Sequence, residues 1–175
     1  KLENVNILFI QADQHRYDCT GFSQRGLVKT PNIDKLASEG VVFTNSYSCI
    51  PTSCPARQSL ISGKWPEQHK GLWNYDRKSP KDFGFDDYIP EWSYNNWRKK
   101  NNLPDYVWQD SRWVMGGYDP VDKMQSRTHW LAQRVIEMIK KYQSEGKKWH
   151  IRFDTSDPHL PCYPVREFLE MYDKN

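Results

Sequence analysis

Val5-Asn6-Ile7-Leu8-Phe9-Ile10-Gln11 is the stretch that most narrows the folds open to this chain. It has strand length and is mostly apolar without alternation, the pattern of a strand covered on both faces in a parallel sheet. It empties into a polar cluster, Asp13-Gln14-His15-Arg16. Thr30 to Gly40 then reads as a short helix, with Thr30 at the N-cap, Pro31 at the first helical position and Gly40 as the stop. Val41 to Tyr47 follows as a second strand, and strand, helix, strand with a short connector predicts a right-handed crossover and a parallel pair. Leu131, Val135, Met138, Ile139 and Tyr142 share one face of a helix from about residue 126 to about residue 143. Trp149-His150-Ile151-Arg152-Phe153 is a third strand, and it too runs into a polar cluster, Asp154 to His159. The expected fold class is α/β: a mostly parallel central sheet of at least three strands flanked by helices. Its polar residues gather where open α/β sheets place their ligands.

Composition limits the alternatives. Leu, Ile, Val and Phe together make up only about 20% of the chain, near the range where disorder sets in. Disorder also calls for high net charge and few aromatics, whereas this chain carries +3 and is 14% aromatic. The reading is a folded chain with a thin aliphatic core. No stretch approaches the ~20 apolar residues of a membrane span, and the scattered charge offers no basic stripe for nucleic acid. The N-terminus enters a strand with no signal-peptide pattern; a mature periplasmic or secreted chain and a cytoplasmic one would begin alike. Four cysteines are too few for a disulfide scaffold at this length. Residues 76–128 are poor in aliphatics and rich in Trp and Tyr. Those aromatics are expected mainly in the core, with stacking on sugar rings as the alternative.

Chemistry concentrates in Cys49-Ile50-Pro51-Thr52-Ser53-Cys54-Pro55-Ala56-Arg57-Gln58-Ser59-Leu60-Ile61-Ser62-Gly63. This run resembles the signature of the sulfatase family, Cys/Ser-x-Pro-x-Arg followed by Leu-x-Ser/Thr-Gly, with matches at Ser53, Pro55, Arg57, Ile61, Ser62 and Gly63. Cys49 has a proline in register but no arginine, and Cys54 is out of register, so the key position is Ser53 and the chain resembles a serine-type member. In that family the key residue is oxidised by a maturation enzyme to formylglycine, whose hydrate is the nucleophile. The resemblance implies that Ser53 is nucleophile and metal ligand and that Arg57 orients it and offsets negative charge. Asp13-Gln14 matches the family's Asp-Asp or Asp-Gln metal pair, hard oxygen ligands suited to Ca²⁺, with Mg²⁺ as the alternative. Thr30 to Phe43 resembles the family segment between metal pair and signature, and Gly84 to Tyr88 a recurrent structural element. Ser156-Asp157-Pro158-His159-Leu160-Pro161 resembles the segment whose His contacts the sulfate or the leaving-group oxygen, a role that falls on His159. His69 stands where family members often carry a substrate-contacting His; a surface position is its plain alternative. His15 and Arg16 are weaker candidates, and His129 and His150 read as packing or solvent-facing.

The resemblance covers residues 5–75 well, then 83–88 and 126–173. Asn74 to Asp82 is too short for the family's next helix, strand and Gly-Lys-Trp-His-like motif, and Gly63-Lys64-Trp65 belongs to the signature helix instead. Residues 1–175 are therefore expected to be the N-terminal part of a sulfatase catalytic domain, apparently incomplete, shortened near 76–83 and without the C-terminal portion that completes the metal shell. The expected reaction is hydrolysis of a sulfate ester on a small molecule or carbohydrate, with little turnover from this stretch alone. The alternatives are a phosphate or phosphonate monoester hydrolase of the same alkaline-phosphatase-like superfamily, and a non-catalytic sugar-binding or structural remnant.

Overall fold

A computed structural model describes residues 4–23, 28–76, 78–111 and 114–172; of the segments read above, Lys1 to Glu3 and Arg77 lie outside them. In chain order the elements are β1 (Ile7–Ala12), α1 (Pro31–Glu39), α2 (Ser53–Ser62), α3 (Pro66–His69), α4 (Ser93–Lys100), β2 (Val107–Ser111), β3 (Val114–Tyr118), α5 (Arg127–Ser144), β4 (His150–Thr155) and α6 (Arg166–Leu169). They fall into two units, one made of residues 1–15 and 89–175 and the other of residues 16–88. Among the described residues no helix is long and apolar enough to cross a membrane.

The first unit is built on a parallel pair. β1 runs beside β4 with Ile7 opposite His150 and Ala12 opposite Thr155. The ladder continues one step past the strands, where the Asp13 N–H donates to the Thr155 carbonyl at 3.0 Å. α5 precedes β4 and packs on it. It is capped by Ser126, whose side chain accepts from the His129 N–H, and it turns Trp130 and Leu131 into the interior. There they meet Tyr94 of α4, with Ile89, Trp97, Tyr106 and Phe153 packed around them. The aromatic-rich middle of the chain thus forms much of this core, as the thin aliphatic supply requires. Stacking supplies the geometry: the Tyr94 and Trp97 rings lie 5.8 Å apart.

Two expectations need correction. Val41 to Tyr47 is not a strand; it is exposed loop with a turn at Thr44-Asn45. The run has β propensity, but a strand exists only where a neighbour takes its backbone hydrogen bonds, and no ladder reaches it among the described residues. The sheet is accordingly the pair β1–β4 rather than three or more parallel strands, and Leu8 and Ile10 remain exposed. The second surprise is the antiparallel hairpin β2–β3, with Val107 opposite Tyr118 and Trp108 opposite Gly117. Its far edge is joined by the chain after His159: the Gly117 N–H donates to the Cys162 carbonyl and the Asp119 N–H to the Pro164 carbonyl. Gly116 makes that approach feasible, since a Cβ there would lie 2.2 Å from the Cys162 carbonyl oxygen.

A buried ion pair ties α4 to the end of the hairpin. The Arg98 guanidinium donates from both terminal nitrogens to the two Asp119 oxygens, each at 2.9 Å. It also lies 4.1 Å from the Tyr106 ring centroid and donates to the Pro104 carbonyl. Burial pushes the nearby Tyr94 hydroxyl up to about 12, and the Asp119 carboxylate adds to the shift.

In the second unit, α1 is anchored from its own first turn. Thr30 sits at the N-cap but spends its hydroxyl on the preceding loop, accepting from the Gly21 N–H and donating to Asp34, which also accepts from the Phe22 N–H. α2 begins at Ser53, two residues before Pro55, which lies buried in the first turn where a missing N–H costs nothing. Gly63 ends it in the left-handed conformation, φ 65°, its N–H returning to the Ser59 carbonyl.

Two outcomes follow from the buried pair. Arg98→Met strands the Asp119 carboxylate and should cost about 3–5 kcal/mol in urea unfolding, most of it recovered when Asp119→Leu is added. A tyrosine held above its unfolded value of ~10 leaves stability intact at lower pH and withdraws it as pH rises toward its folded value. The unfolding midpoint should therefore fall between pH ~10 and about 12, less steeply in Tyr94→Phe.

Candidate active site

The candidate residues divide between the two units. Asp13, Gln14 and His159 belong to the first; Ser53, Arg57 and His69 belong to the second.

In the first unit the register of β1 against β4 decides the arrangement. Because the strands are parallel and Ala12 faces Thr155, Asp13-Gln14 and Ser156 to His159 leave the sheet at the same end, the carboxyl end of both strands. Gln14 takes φ 56°, a left-handed conformation uncommon outside glycine, as the chain turns out of the strand. Asp13 is half-buried and Gln14 exposed. A carboxylate and an amide carbonyl are hard oxygen donors of the kind Ca²⁺ and Mg²⁺ take. Among the described residues no group of three or more His, Cys, Asp or Glu is gathered around them, so the pair fits such an ion only as part of a shell.

The His159 segment is held by ionic contacts with the start of α5. Arg127, the first residue of that helix, donates to Asp157, and the Thr128 hydroxyl donates to the other Asp157 oxygen at 2.5 Å. Glu91 accepts from the Ser156 hydroxyl at 2.5 Å and pairs with the Arg127 Nε at 3.1 Å. Burial alone would lower the Arg127 pKa, and Asp157 more than offsets it, holding the guanidinium charged. Asp157 in turn lies at a helix N-terminus, where a carboxylate is favoured. The His159 ring is exposed, with Nδ1 2.6 Å from the Leu160 carbonyl. A carbonyl only accepts, so Nδ1 carries the hydrogen and Nε2 is the nitrogen left to exchange a proton with a substrate oxygen. Three residues on, burial pushes the Cys162 thiol up, with Asp157 adding to the shift, which keeps it protonated and unreactive.

In the second unit Ser53 and Arg57 stand one helical turn apart on α2, and the Arg57 Nε donates to the Ser53 hydroxyl at 3.3 Å. Both side chains are half-buried. Ser53 occupies the first helical position, where backbone N–H groups lack intrahelical partners and the dipole favours an anion. One of those donors is met from outside the helix: the Cys54 N–H donates to the Asn74 side-chain oxygen at 3.0 Å. Thr52, at the N-cap, makes no side-chain cap of its own. Asn74 therefore fixes the end of the helix that bears Ser53.

His69 does not match the substrate contact expected of it. The ring is buried, Nδ1 accepts from the Gly71 N–H at 3.0 Å, and Nε2 lies 2.8 Å from the Ser59 hydroxyl. With Nδ1 accepting, Nε2 carries the hydrogen and Ser59 receives it, so the pair is a strut between α2 and the end of α3, not a nucleophile with its base. Asn74, Arg127 and Glu91 were missed by sequence reading; each acts across a long separation that no local spacing announces.

A family model for sulfatases matches residues 5–72, which contain β1, the Asp13-Gln14 pair, α1 and α2. Residues 5–72 belong to the sulfatase family. An arylsulfatase of Clostridium perfringens is 33% identical over 85 residues, 45% of this chain and 18% of that protein. An ulvan-active sulfatase of Formosa agariphila is 29% identical over 177 residues, 93% of this chain and 32% of that protein. An N-acetylgalactosamine-6-O-sulfatase of Bacteroides thetaiotaomicron is 42% identical over 67 residues, 37% of this chain and 12% of that protein. The chain thus spans a third or less of the length of these three sulfatase relatives.

The Asn74 contact gives a direct test. Asn74→Ala should lower stability by about 1 kcal/mol or more, as loss of a helix cap does. Asn74→Asp, which keeps the acceptor, should recover most of it in the same urea titration.

Proposed function

We propose that this chain carries the nucleophile-bearing part of a sulfatase catalytic domain that hydrolyses sulfate esters of carbohydrates. The observation that carries the reading is the Ser53–Arg57 pair, a Ser-x-Pro-x-Arg motif at the start of a ten-residue helix with guanidinium and hydroxyl 3.3 Å apart. The family match over residues 5–72 supports the reaction class. The relatives named for ulvan and N-acetylgalactosamine support the carbohydrate. The exposed apolar side chains of β1 support a larger domain in which further chain covers the sheet.

In this reading Ser53 is converted to formylglycine by a maturation enzyme; its hydrate supplies a geminal diol, one hydroxyl to attack sulfur and one to let sulfate leave by collapse to the aldehyde. Arg57 holds the oxygen at position 53 and offsets negative charge gathering at the start of α2. Asp13 and Gln14 would contribute hard oxygen ligands to a dication that supplies positive charge for the sulfate oxygens. His159, with Nδ1 tied to the Leu160 carbonyl, offers Nε2 to the ester oxygen and helps the alcohol depart.

Mass spectrometry of the peptide spanning Ser53, from a host that carries the maturation enzyme, should show the loss of two hydrogens. Ser53→Ala in the full-length protein should lower sulfate-ester turnover by about 10³-fold or more with the fold intact. An unmodified Ser53 together with undiminished turnover in the alanine variant would sink the assignment. Paired sulfate and phosphate esters should differ in favour of sulfate; the reverse order would move the protein to the phosphate side of the superfamily.

A further inference from the structure

A graded aromatic stack in the first unit runs outward from the Arg98–Asp119 ion pair. Beginning at the buried Arg98, the guanidinium lies over Tyr106, the Tyr106 ring stacks on Tyr163 at 4.7 Å, and Trp108 leans on Tyr163 at 6.3 Å with the planes 55° apart. The Tyr106 and Tyr163 rings are half-buried, whereas Trp108 is 53% exposed.

The stack is held in place by the backbone. Trp108 lies opposite Gly117, which has no side chain to fill the space, and beyond Gly117 the next segment carries Cys162, which accepts the Gly117 N–H. Trp108 and Tyr163 therefore come from the two backbones that flank β3. Arg98 at the base is neutralised by its two bonds to Asp119, so the platform presents an aromatic face rather than a charge. Tyr163 lies four positions after His159, and the intervening chain is anchored at both ends, by Asp157 on Arg127 and by Cys162 on Gly117.

We propose that Trp108, backed by Tyr163, is a sugar-binding platform that takes the apolar face of a pyranose ring belonging to the substrate whose sulfate ester is handled beside His159. The C–H face of a pyranose is apolar and about the size of one indole, and it packs on an aromatic face without needing a charge. The platform deepens the sulfatase reading and rests on it only for the sulfate; the stacking itself needs none. This separation makes a sharp expectation: a sugar binds with or without its sulfate, and free sulfate does not bind here.

The test is an NMR titration of the intact chain, following the indole N–H signal of Trp108, identified as the one lost in Trp108→Phe. Galactose 6-sulfate and galactose should each move it saturably, and sodium sulfate should not. Sugar affinity, read from the other signals that move, should weaken about tenfold or more in Trp108→Ala and stay within about threefold in Trp108→Phe, which keeps a ring. Absence of a saturable shift with either sugar, equal affinity in Trp108→Ala, or a shift that follows protein concentration instead of sugar would overturn the proposal; the last would mark a contact between copies. Ser53→Ala should leave the titration unchanged, so a failed nucleophile assignment and a failed platform give different results.

Discussion

The ladder between β1 and β4 joins segments that lie almost the whole chain apart, and the first unit depends on it. Closing so long a loop costs only slowly more than closing a short one, but a two-stranded sheet is marginal by itself. Its support is the layer behind β4, where α5 brings Trp130 and Leu131 against Tyr94 and Phe153. Once the strands are parallel and in register, the polar residues that follow each of them must emerge at one end. The placement of Asp13-Gln14 beside the strand end that leads to His159 is therefore a consequence of strand direction and needs no further device.

A chain poor in aliphatic residues has to fix its loops by other means, and here it uses charge. Arg98 binds Asp119 through paired hydrogen bonds, and Arg127 binds Asp157 through one hydrogen bond and Glu91 through an ion pair; each ties a loop to a helix. Such pairs contribute little net stability, since desolvation offsets most of their attraction. Their value is directional, because a bidentate pair accepts one geometry where apolar packing accepts several. Arg98 fixes the path into and out of the hairpin, and Arg127 fixes the approach to His159.

The elements readable in the sequence were those whose signal is local. β1 announced itself as an apolar run, β4 as a short segment running into a polar cluster, and α5 by its helical face. Val41 to Tyr47 carried an equally strong local signal and failed, because strand formation is settled by a partner and not by propensity. The β2–β3 hairpin lies in the aromatic-rich stretch to which local sequence signals assigned no element. Gly116 and Gly117 weaken it as a strand on paper, yet those same glycines admit the Cys162 backbone and the Trp108 ring. Within the site, the Ser53–Arg57 pairing was legible from the resemblance of the signature and not from helical spacing. Asn74, Glu91 and Arg127 were not, since each reaches its partner across the fold. His69 was placed near the substrate by family position, but burial and two occupied nitrogens make it a strut.

α2 shows how a short signature can encode geometry as well as chemistry. Pro55 is tolerated only in the first turn, which forces the helix to begin at about Ser53. Gly63 permits the left-handed turn that ends it. Between them the spacing of Ser53 and Arg57 puts both on one face, and Ser59 faces the His69 strut that fixes the helix from the other side. Pro55 and Gly63 thus do double duty: they would be needed to start and end this helix even if position 53 had no chemistry to perform. The needs of the helix do not account for the choice of arginine at 57, one turn into α2, where its Nε reaches the Ser53 hydroxyl. A guanidinium there suits an anion at the same helix end, which is what the proposed sulfatase reading asks of it.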